Sequence, residues 1–306
     1  MIIKKIILAA VKDQLRVDRA TEVLLTALSG SIKMLLLFLI FILLCSPLHA
    51  SFELNGNSAR VRAMGQAYIG LANTPDAIFI NCGGLAQINH PSVSLYITKL
   101  FGLKELLQGA CSASFPTTLG NFSTGATYFG NEIYQEQSLL ISFSRSIRQK
   151  FSWGINLHYM KLQIARYGSD FSLGIDVGFL TKITQKFQWG FFATNINRTT
   201  YKNNNESLPQ TFATGISILP LEDLIINFDI FKDTAFPLEL RMGLEYFLLQ
   251  RIAFRAGFSD EPTQFCFGFG LPFSYFALDY AVTSHIDLGL THYFSIQFDF
   301  KSNKLK

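Results

Sequence analysis

Eight charged side chains lie in stretches where apolar and polar residues alternate. Successive side chains of a β-strand point to opposite faces, so these charges share a face with neighbouring small and polar residues. Charges gathered on an enclosed face must be paired, or they line a passage for charged solutes. We therefore predict either a structural ion-pair network or a selectivity ring. The eight residues are Asp176, Asp229, Glu239, Arg241, Glu245, Arg255, Asp279 and Asp299.

No arrangement typical of catalysis or metal binding accompanies these charges. The histidines His90, His158, His285 and His292 do not have the spacing of metal ligands. The sequence contains no GxSxG nucleophile elbow, no P-loop, and no GxGxxG that opens a helix. We therefore predict a protein that is not an enzyme, with no catalytic residue, no metal and no cofactor.

The composition is unlike that of a soluble domain. Of the 306 residues, 49% are hydrophobic and only 16% are charged, whereas soluble domains carry about 25% charged residues. Residues 1–50 hold six Lys or Arg against three Asp or Glu, so the rest of the chain is nearly neutral. This charge balance gives no electrostatic reason to expect a nucleic-acid partner.

A single long apolar run near the N-terminus predicts a signal peptide. Residues 34–44 (MLLLFLIFILL) are too few for a membrane-spanning helix, which needs about 20 residues. The small residue Ala50 suits the position before a cleavage site, so we predict a signal peptide over residues 1–50. Lipidation at Cys45 is disfavoured by the bulky Leu44. Residues 1–33 are long for the region before the apolar core, and a start codon assigned too far upstream would explain them.

From residue 92 to residue 300 the alternation recurs between turn-like breaks, without a convincing helical period. This pattern predicts about fourteen strands, and an even number is typical of bacterial outer-membrane barrels. The non-apolar face of these strands is mostly Gly, Ser, Ala and Asn rather than the Lys and Glu of a soluble sandwich. We therefore predict an all-β fold, a transmembrane antiparallel β-barrel (92–300) whose apolar face contacts lipid.

The last strand has the form of a barrel assembly signal. Ser295, Gln297 and Asp299 alternate with large apolar residues, and only a polar tail, residues 301–306, follows. We expect this strand to be recognised by the barrel-assembly machinery. The apolar residues of the predicted assembly signal are Phe294, Ile296, Phe298 and Phe300.

The segment before the barrel does not alternate. Residues 57–87 are rich in small residues and glycines, and the predicted strands carry many glycines on their inner face. We predict that residues 51–91 form a hatch inside the barrel, where Arg60 or Arg62 can complete a ladder of Asp229, Arg241 and Arg255. The alternative is a periplasmic tail.

This segment resembles the N-terminal signature of the PorV/PorQ family, within the wider superfamily of FadL-type fatty-acid transporters. The sequence departs from the signature at Cys82 and Gly83, where Pro and Ala are usual. Near the C-terminus, residues 278–281 (LDYA) and 287–292 also resemble this family. The matching positions that we assign to the hatch signature are Arg60, Met64, Gly65, Ala67, Asp76, Asn81, Gly84 and Leu85.

The resemblance implies a barrel of the bacterial outer membrane that contains a hatch and is surrounded by outer-membrane lipid. PorV-type members imply a docking or accessory role in protein secretion, with components of a secretion system as partners. FadL-type members imply uptake of long-chain fatty acids or other hydrophobic small molecules. The short predicted loops favour the secretion role, and hydrophobic transport is the alternative.

Overall fold

The computed structural model describes residues 58–202, 208–285 and 288–300. The predicted signal peptide and the C-terminal tail lie outside these residues, as do residues 51–57 of the predicted hatch. Across the three described ranges, no helix is long and apolar enough to span a membrane.

Fourteen antiparallel strands form a closed barrel, which confirms the fold class predicted from the sequence. Each strand pairs with the next, and β1 closes the ring by pairing with β14. Closure leaves no sheet edge unpaired in the lipid. The strands are β1 (Ser92–Lys99), β2 (Leu107–Pro116), β3 (Asn121–Gly130), β4 (Tyr134–Ile147), β5 (Phe151–Ile164), β6 (Gly168–Lys182), β7 (Phe187–Ala193), β8 (Thr211–Leu221), β9 (Leu224–Asp233), β10 (Leu238–Leu248), β11 (Ile252–Asp260), β12 (Thr263–Pro272), β13 (Phe276–His285) and β14 (Gly289–Asp299).

The outer face of the barrel is apolar and the inner face is polar. In β1, Ile97 is 53% exposed on the outside, while its neighbour Tyr96 is buried inside. In β10, Leu240 and Leu244 face outward, and the charged residues that alternate with the apolar ones, Glu239, Arg241 and Glu245, face the lumen. Large exposed apolar side chains on every side of a barrel are what a lipid bilayer covers.

The two ends of the barrel differ in their connections. Six tight turns lie on the side where β1 starts and β14 ends, and the other side carries two long connections, residues 100–106 and 194–210. Short turns are typical of the periplasmic side of outer-membrane barrels, so we name this side the periplasmic end and the opposite side the extracellular end.

Two extracellular connections are shorter than the sequence suggests. From the sequence we expect loops at residues 130–137 and 283–290. In the structure, β4 already begins at Tyr134 and β13 continues to His285. Tyr134 pairs with Ile164 of β5, because cross-strand pairing continues beyond the point where apolar alternation stops.

Residues 58–91 lie inside the barrel and form the described part of the hatch. A short helix, α1 (Ala59–Ala63), is followed by two 3-10 turns, Pro75–Phe79 and Cys82–Gln87. Most of their side chains are buried, and together with the inner wall they form the main hydrophobic cluster of the molecule.

Glycines of the inner wall allow the hatch backbone to approach closely. A Cβ atom added at Gly257 would lie 2.0 Å from the Gly65 nitrogen, and one at Gly190 would lie 2.2 Å from the Ile69 oxygen. No other residue type fits at these two positions without displacing the hatch. Other wall glycines that face hatch atoms are Gly125, Gly154, Gly178, Gly215, Gly243 and Gly268.

Candidate functional site in the barrel lumen

A buried ion-pair chain joins the hatch to the wall. The Glu245 carboxylate on β10 accepts two hydrogen bonds from the Arg60 guanidinium of α1, at 2.9 and 2.6 Å. Arg255 of β11 donates to the same carboxylate at 2.6 Å and to Asp279 of β13 at 2.7 Å. Two cations and two anions therefore compensate one another in a region where the Glu245 side chain is 0% exposed.

The remaining predicted network residues form separate groups. The Arg241 guanidinium donates two hydrogen bonds to the Glu239 carboxylate, at 2.8 and 2.7 Å. Asp229 lies opposite Arg241 in the strand register, but its Oδ2 accepts the backbone N–H groups of Tyr68 and Ile69 in the hatch, at 2.6 and 2.8 Å. The Arg241–Glu239 pair thus belongs to the wall, and Asp229 anchors the hatch.

Asp176 and Asp299 lie away from these groups. Asp176 accepts hydrogen bonds from Asn156 and from the backbone N–H of Asn195, on the other side of the lumen. Asp299 lies at the periplasmic end, where Gln297 donates to it at 2.9 Å. The eight predicted charges therefore do not form one continuous ring.

The other residues of the hatch signature have structural contacts. Met64 and Gly65 pack on wall glycines, and Gly84 lies against Ala72 inside the hatch. The Asn81 side chain donates to the carbonyl oxygens of Ile69 and Phe179, at 2.8 and 3.0 Å, and so ties two parts of the hatch to β6.

Asp76 is a buried hatch carboxylate held by hydroxyl groups. Ser94 and Ser112 of the wall donate to it at 3.0 and 2.8 Å. Burial raises the pKa of Asp76 to about 6, and these hydrogen bonds act in the opposite direction. The signature aspartate therefore fastens the first 3-10 turn to β1 and β2.

Three wall asparagines were missed by the sequence analysis. Asn121, Asn156 and Asn227 point into the lumen, and their side-chain amides donate to hatch carbonyl groups at 2.7, 2.9 and 3.0 Å. The carbonyl groups belong to Leu85, Ile78 and Ala67, and Leu85 and Ala67 are residues of the hatch signature. Asn is depleted in strands, so an Asn on the inner face of a predicted strand was the sequence feature that could have indicated a contact with the hatch.

An apolar pocket lies on the extracellular side of the hatch. Its floor consists of hatch residues and its sides of β7, β8, β9 and β10, with Phe192 only 4% exposed. Gln66, Thr211 and Arg241 add polar groups to a lining that is otherwise apolar. The cavity has a volume of about 20 Å³, which is enough for about one water molecule. Its apolar lining residues are Val61, Ile69, Phe79, Ile80, Phe192, Ala213 and Phe231.

The described parts of the connection between β7 and β8, residues 194–202 and 208–210, pack against β5 and β6. Tyr201 and Leu208, at its two described ends, are buried with Met160 of β5 in a separate apolar cluster. Strand β7 ends at Ala193, so the upper part of β6 lacks a strand partner on that side. The Asn197 side chain takes the place of a strand partner there. It donates a hydrogen bond to the Leu173 oxygen and accepts one from the Ile175 N–H, both at 2.9 Å.

The predicted assembly-signal residues lie on the outer surface. Phe294 and Phe300 are more than half exposed, while Ile296 and Phe298 are partly covered by neighbouring side chains. Within the described ranges, no group of three or more His, Cys, Asp or Glu side chains is arranged to hold a metal ion.

Comparisons with known proteins identify the fold. No protein-family model and no curated protein matches the sequence. Among solved structures, the chain is similar to the Ralstonia pickettii toluene transporter TbuX (TM-score 0.63, 12% identity, 82% of this chain and 100% of that chain). It is also similar to the P. putida toluene transporter TodX (TM-score 0.61, 12% identity, 82% and 100%) and to a Pseudomonas aeruginosa FadL homologue (TM-score 0.60, 11% identity, 80% and 98%). This chain therefore shares the fold of these solved barrels; the finer PorV/PorQ resemblance stays a prediction.

Proposed function

We propose that the protein is a bacterial outer-membrane channel that admits small apolar molecules and is closed by its hatch. The observation that carries this proposal is the apolar pocket above the hatch. The interior of a polar pore is lined with polar side chains. Here Phe79 of the hatch and Phe192 of the wall form apolar surface at the centre of the lumen.

The fold comparisons support this proposal over a docking role in secretion. TodX and TbuX are toluene transporters, and a CymD structure of the same fold is a monoaromatic hydrocarbon channel. A docking protein does not require an apolar surface that is hidden from its partners.

The pocket must widen before a solute can pass. An engineered cavity that binds benzene has a volume of about 150 Å³, whereas this pocket has about 20 Å³. The structure therefore corresponds to a closed state. The parts that must move are the hatch and the described parts of the β7–β8 connection, residues 194–202 and 208–210.

The route begins at the extracellular end. Phe192 lies near the end of β7, directly below the connection that completes the wall beside β6. The cluster of Met160, Tyr201 and Leu208 lies at this end of the lumen and is separate from the cluster that contains the pocket. We propose that a solute meets these two apolar regions in turn.

Uptake of radiolabelled toluene by cells that produce the protein tests this proposal. We expect Phe192→Asn to lower uptake about tenfold, because a polar amide replaces apolar surface that an apolar solute would contact, a change of about 1–3 kcal/mol. Phe192→Leu, which keeps the pocket apolar, should stay within about twofold of the unmodified protein.

Outer-membrane levels of the three proteins are matched by immunoblot, and a labelled sugar serves as the polar control solute. Equal toluene uptake with and without the unmodified protein would contradict the channel proposal. So would an undiminished rate in Phe192→Asn.

A further inference from the structure

An apolar groove lies on the outside of the barrel, where β12, β13, β14 and β1 adjoin. Its volume is about 510 Å³ and almost all of its surface is apolar. Leu95, Ile97 and Phe294 in its walls are about half exposed, so the groove opens toward the bilayer. Other side chains that line it include Phe269, Leu278 and Tyr280.

Helix α1 of the hatch packs against the inside of this part of the wall. On β12 and β13 the contact is made by small residues: a Cβ atom added at Gly268 would lie 2.6 Å from the Cβ of Ala63, and Ala281 beside it is completely buried. On β1 and β14 it is made by Tyr96 and Tyr293. The inside of the wall behind the groove is therefore filled by protein.

The extracellular end of the groove carries a cationic and hydrogen-bonding rim. Lys99 and His292 are register partners on β1 and β14, and they lie one outward-facing position beyond Ile97 and Phe294. Both are exposed. The His292 Nδ1 shares a hydrogen bond of 2.7 Å with the Tyr280 hydroxyl, which orients the ring above the groove.

We propose that this groove binds an acyl chain of a membrane lipid whose phosphate contacts Lys99 and His292. The lining matches an acyl chain because it is apolar and faces the bilayer core. The rim matches a phosphate because basic side chains at membrane interfaces attract anionic headgroups. The aromatic residues Phe269, Tyr280 and Phe294 are packed together between these two regions, with ring centroids 5.4 and 5.3 Å apart.

The site does not depend on the proposed channel, since it lies outside the lumen. Two other occupants are conceivable for the same apolar surface, a transported hydrocarbon and a second copy of the chain. Neither requires a phosphate group at the rim. Selectivity for anionic lipid therefore separates the lipid proposal from both.

Quenching of a tryptophan placed in the groove measures this selectivity. The chain has two tryptophans, Trp153 and Trp189, which can be replaced by Phe. Leu278→Trp then reports on the groove. Ile155→Trp, on the other side of the barrel, reports on ordinary lipid-facing surface; the two native side chains are 40% and 46% exposed.

Brominated phosphatidylglycerol and brominated phosphatidylcholine are compared as quenchers in vesicles. We expect phosphatidylglycerol to quench the Leu278→Trp protein at about one third of the mole fraction that phosphatidylcholine requires, following the attraction of basic residues for anionic lipid. The two lipids should quench the Ile155→Trp protein equally. Adding Lys99→Gln and His292→Asn should remove the preference at position 278.

Equal quenching by both lipids at position 278, or a preference that survives loss of Lys99 and His292, would overturn the proposal. Native mass spectrometry provides a second measurement that needs no tryptophan substitution. The unmodified protein should retain phosphatidylglycerol after detergent removal, and Lys99→Gln should retain less. Equal retention would also overturn it, and a dimer without lipid would assign the groove to a second copy.

Discussion

Among single residues, Glu245 joins an arginine of the hatch to an arginine of the wall. Its carboxylate accepts hydrogen bonds from Arg60 of the hatch and Arg255 of the wall, and it is completely buried. Removing one partner of a buried ion pair leaves the other charge uncompensated. Each arginine would lose its main anionic contact at once.

Glu245→Gln should therefore lower the free energy of unfolding by about 3–5 kcal/mol. Urea titration of the protein in lipid vesicles measures this change. Glu222→Gln, at an exposed carboxylate in a periplasmic turn, is the matched control and should change stability by less than about 0.5 kcal/mol. Similar effects of the two substitutions would show that Glu245 does not hold the hatch.

The close contact between wall glycines and the hatch leads to a second prediction about a single residue. Gly257→Ala places a methyl group 2.0 Å from the Gly65 nitrogen of the hatch. We expect a loss of about 1–3 kcal/mol from overpacking. At Gly109 in β2 the nearest atom would be 3.7 Å away, so Gly109→Ala should be nearly neutral. If heat-induced unfolding shifts equally in both variants, the hatch does not lie against Gly257.

The sequence predicted which residues face the lumen, but not how they pair. Facing follows from the two-residue period of a strand, which put Glu245 and Arg255 on the inner side. Pairing depends on the path of the hatch, and the sequence left Arg60 and Arg62 as equal candidates. In the structure, Arg60 forms the ion pair with Glu245, and the Arg62 guanidinium lies 5.2 Å from the centre of the Tyr293 ring.

At the level of elements, the strands were predictable because one face of each must be apolar and the other polar. The ends of the strands were less predictable. β4 starts before its apolar alternation begins, because backbone pairing with β5 does not require apolar side chains. β7 ends at Ala193, where Asn197 takes over hydrogen bonds that a continued strand would make with β6.

A substitution in the last strand tests whether its apolar face contacts lipid. Phe294 lies at the middle of β14 and is 53% exposed on the outer face. Phe294→Lys should cost up to about 2–4 kcal/mol, because a charge on the lipid-facing surface loses hydration. Phe294→Leu keeps the surface apolar and should assemble normally. The folded fraction is measured by the difference in mobility between heated and unheated samples in SDS gels.

Normal assembly of Phe294→Lys would contradict the assignment of this face to lipid. Equal failure of Phe294→Lys and Phe294→Leu would instead point to a specific requirement for Phe at this position. Only the first outcome is inconsistent with the observed facing of β14.

For the whole molecule, the sequence predicted the barrel better than its function. Fourteen amphipathic strands admit few folds, and the closed barrel follows from the requirement that all backbone groups be paired in lipid. The apolar pocket depends on where Phe79 and Ile80 of the hatch meet Phe192 of β7, which no local pattern reveals. The sequence therefore favoured docking, whereas we propose a channel.

The conductance of planar bilayers tests whether the hatch closes this channel. The unmodified protein is compared with a variant that lacks residues 57–87, after the heat-mobility assay has shown that both barrels assemble. We expect no steady ion current through the unmodified protein, because the hatch fills the lumen, and stepwise currents through the shortened protein. Equal conductance of the two assembled proteins would contradict the gated channel described here.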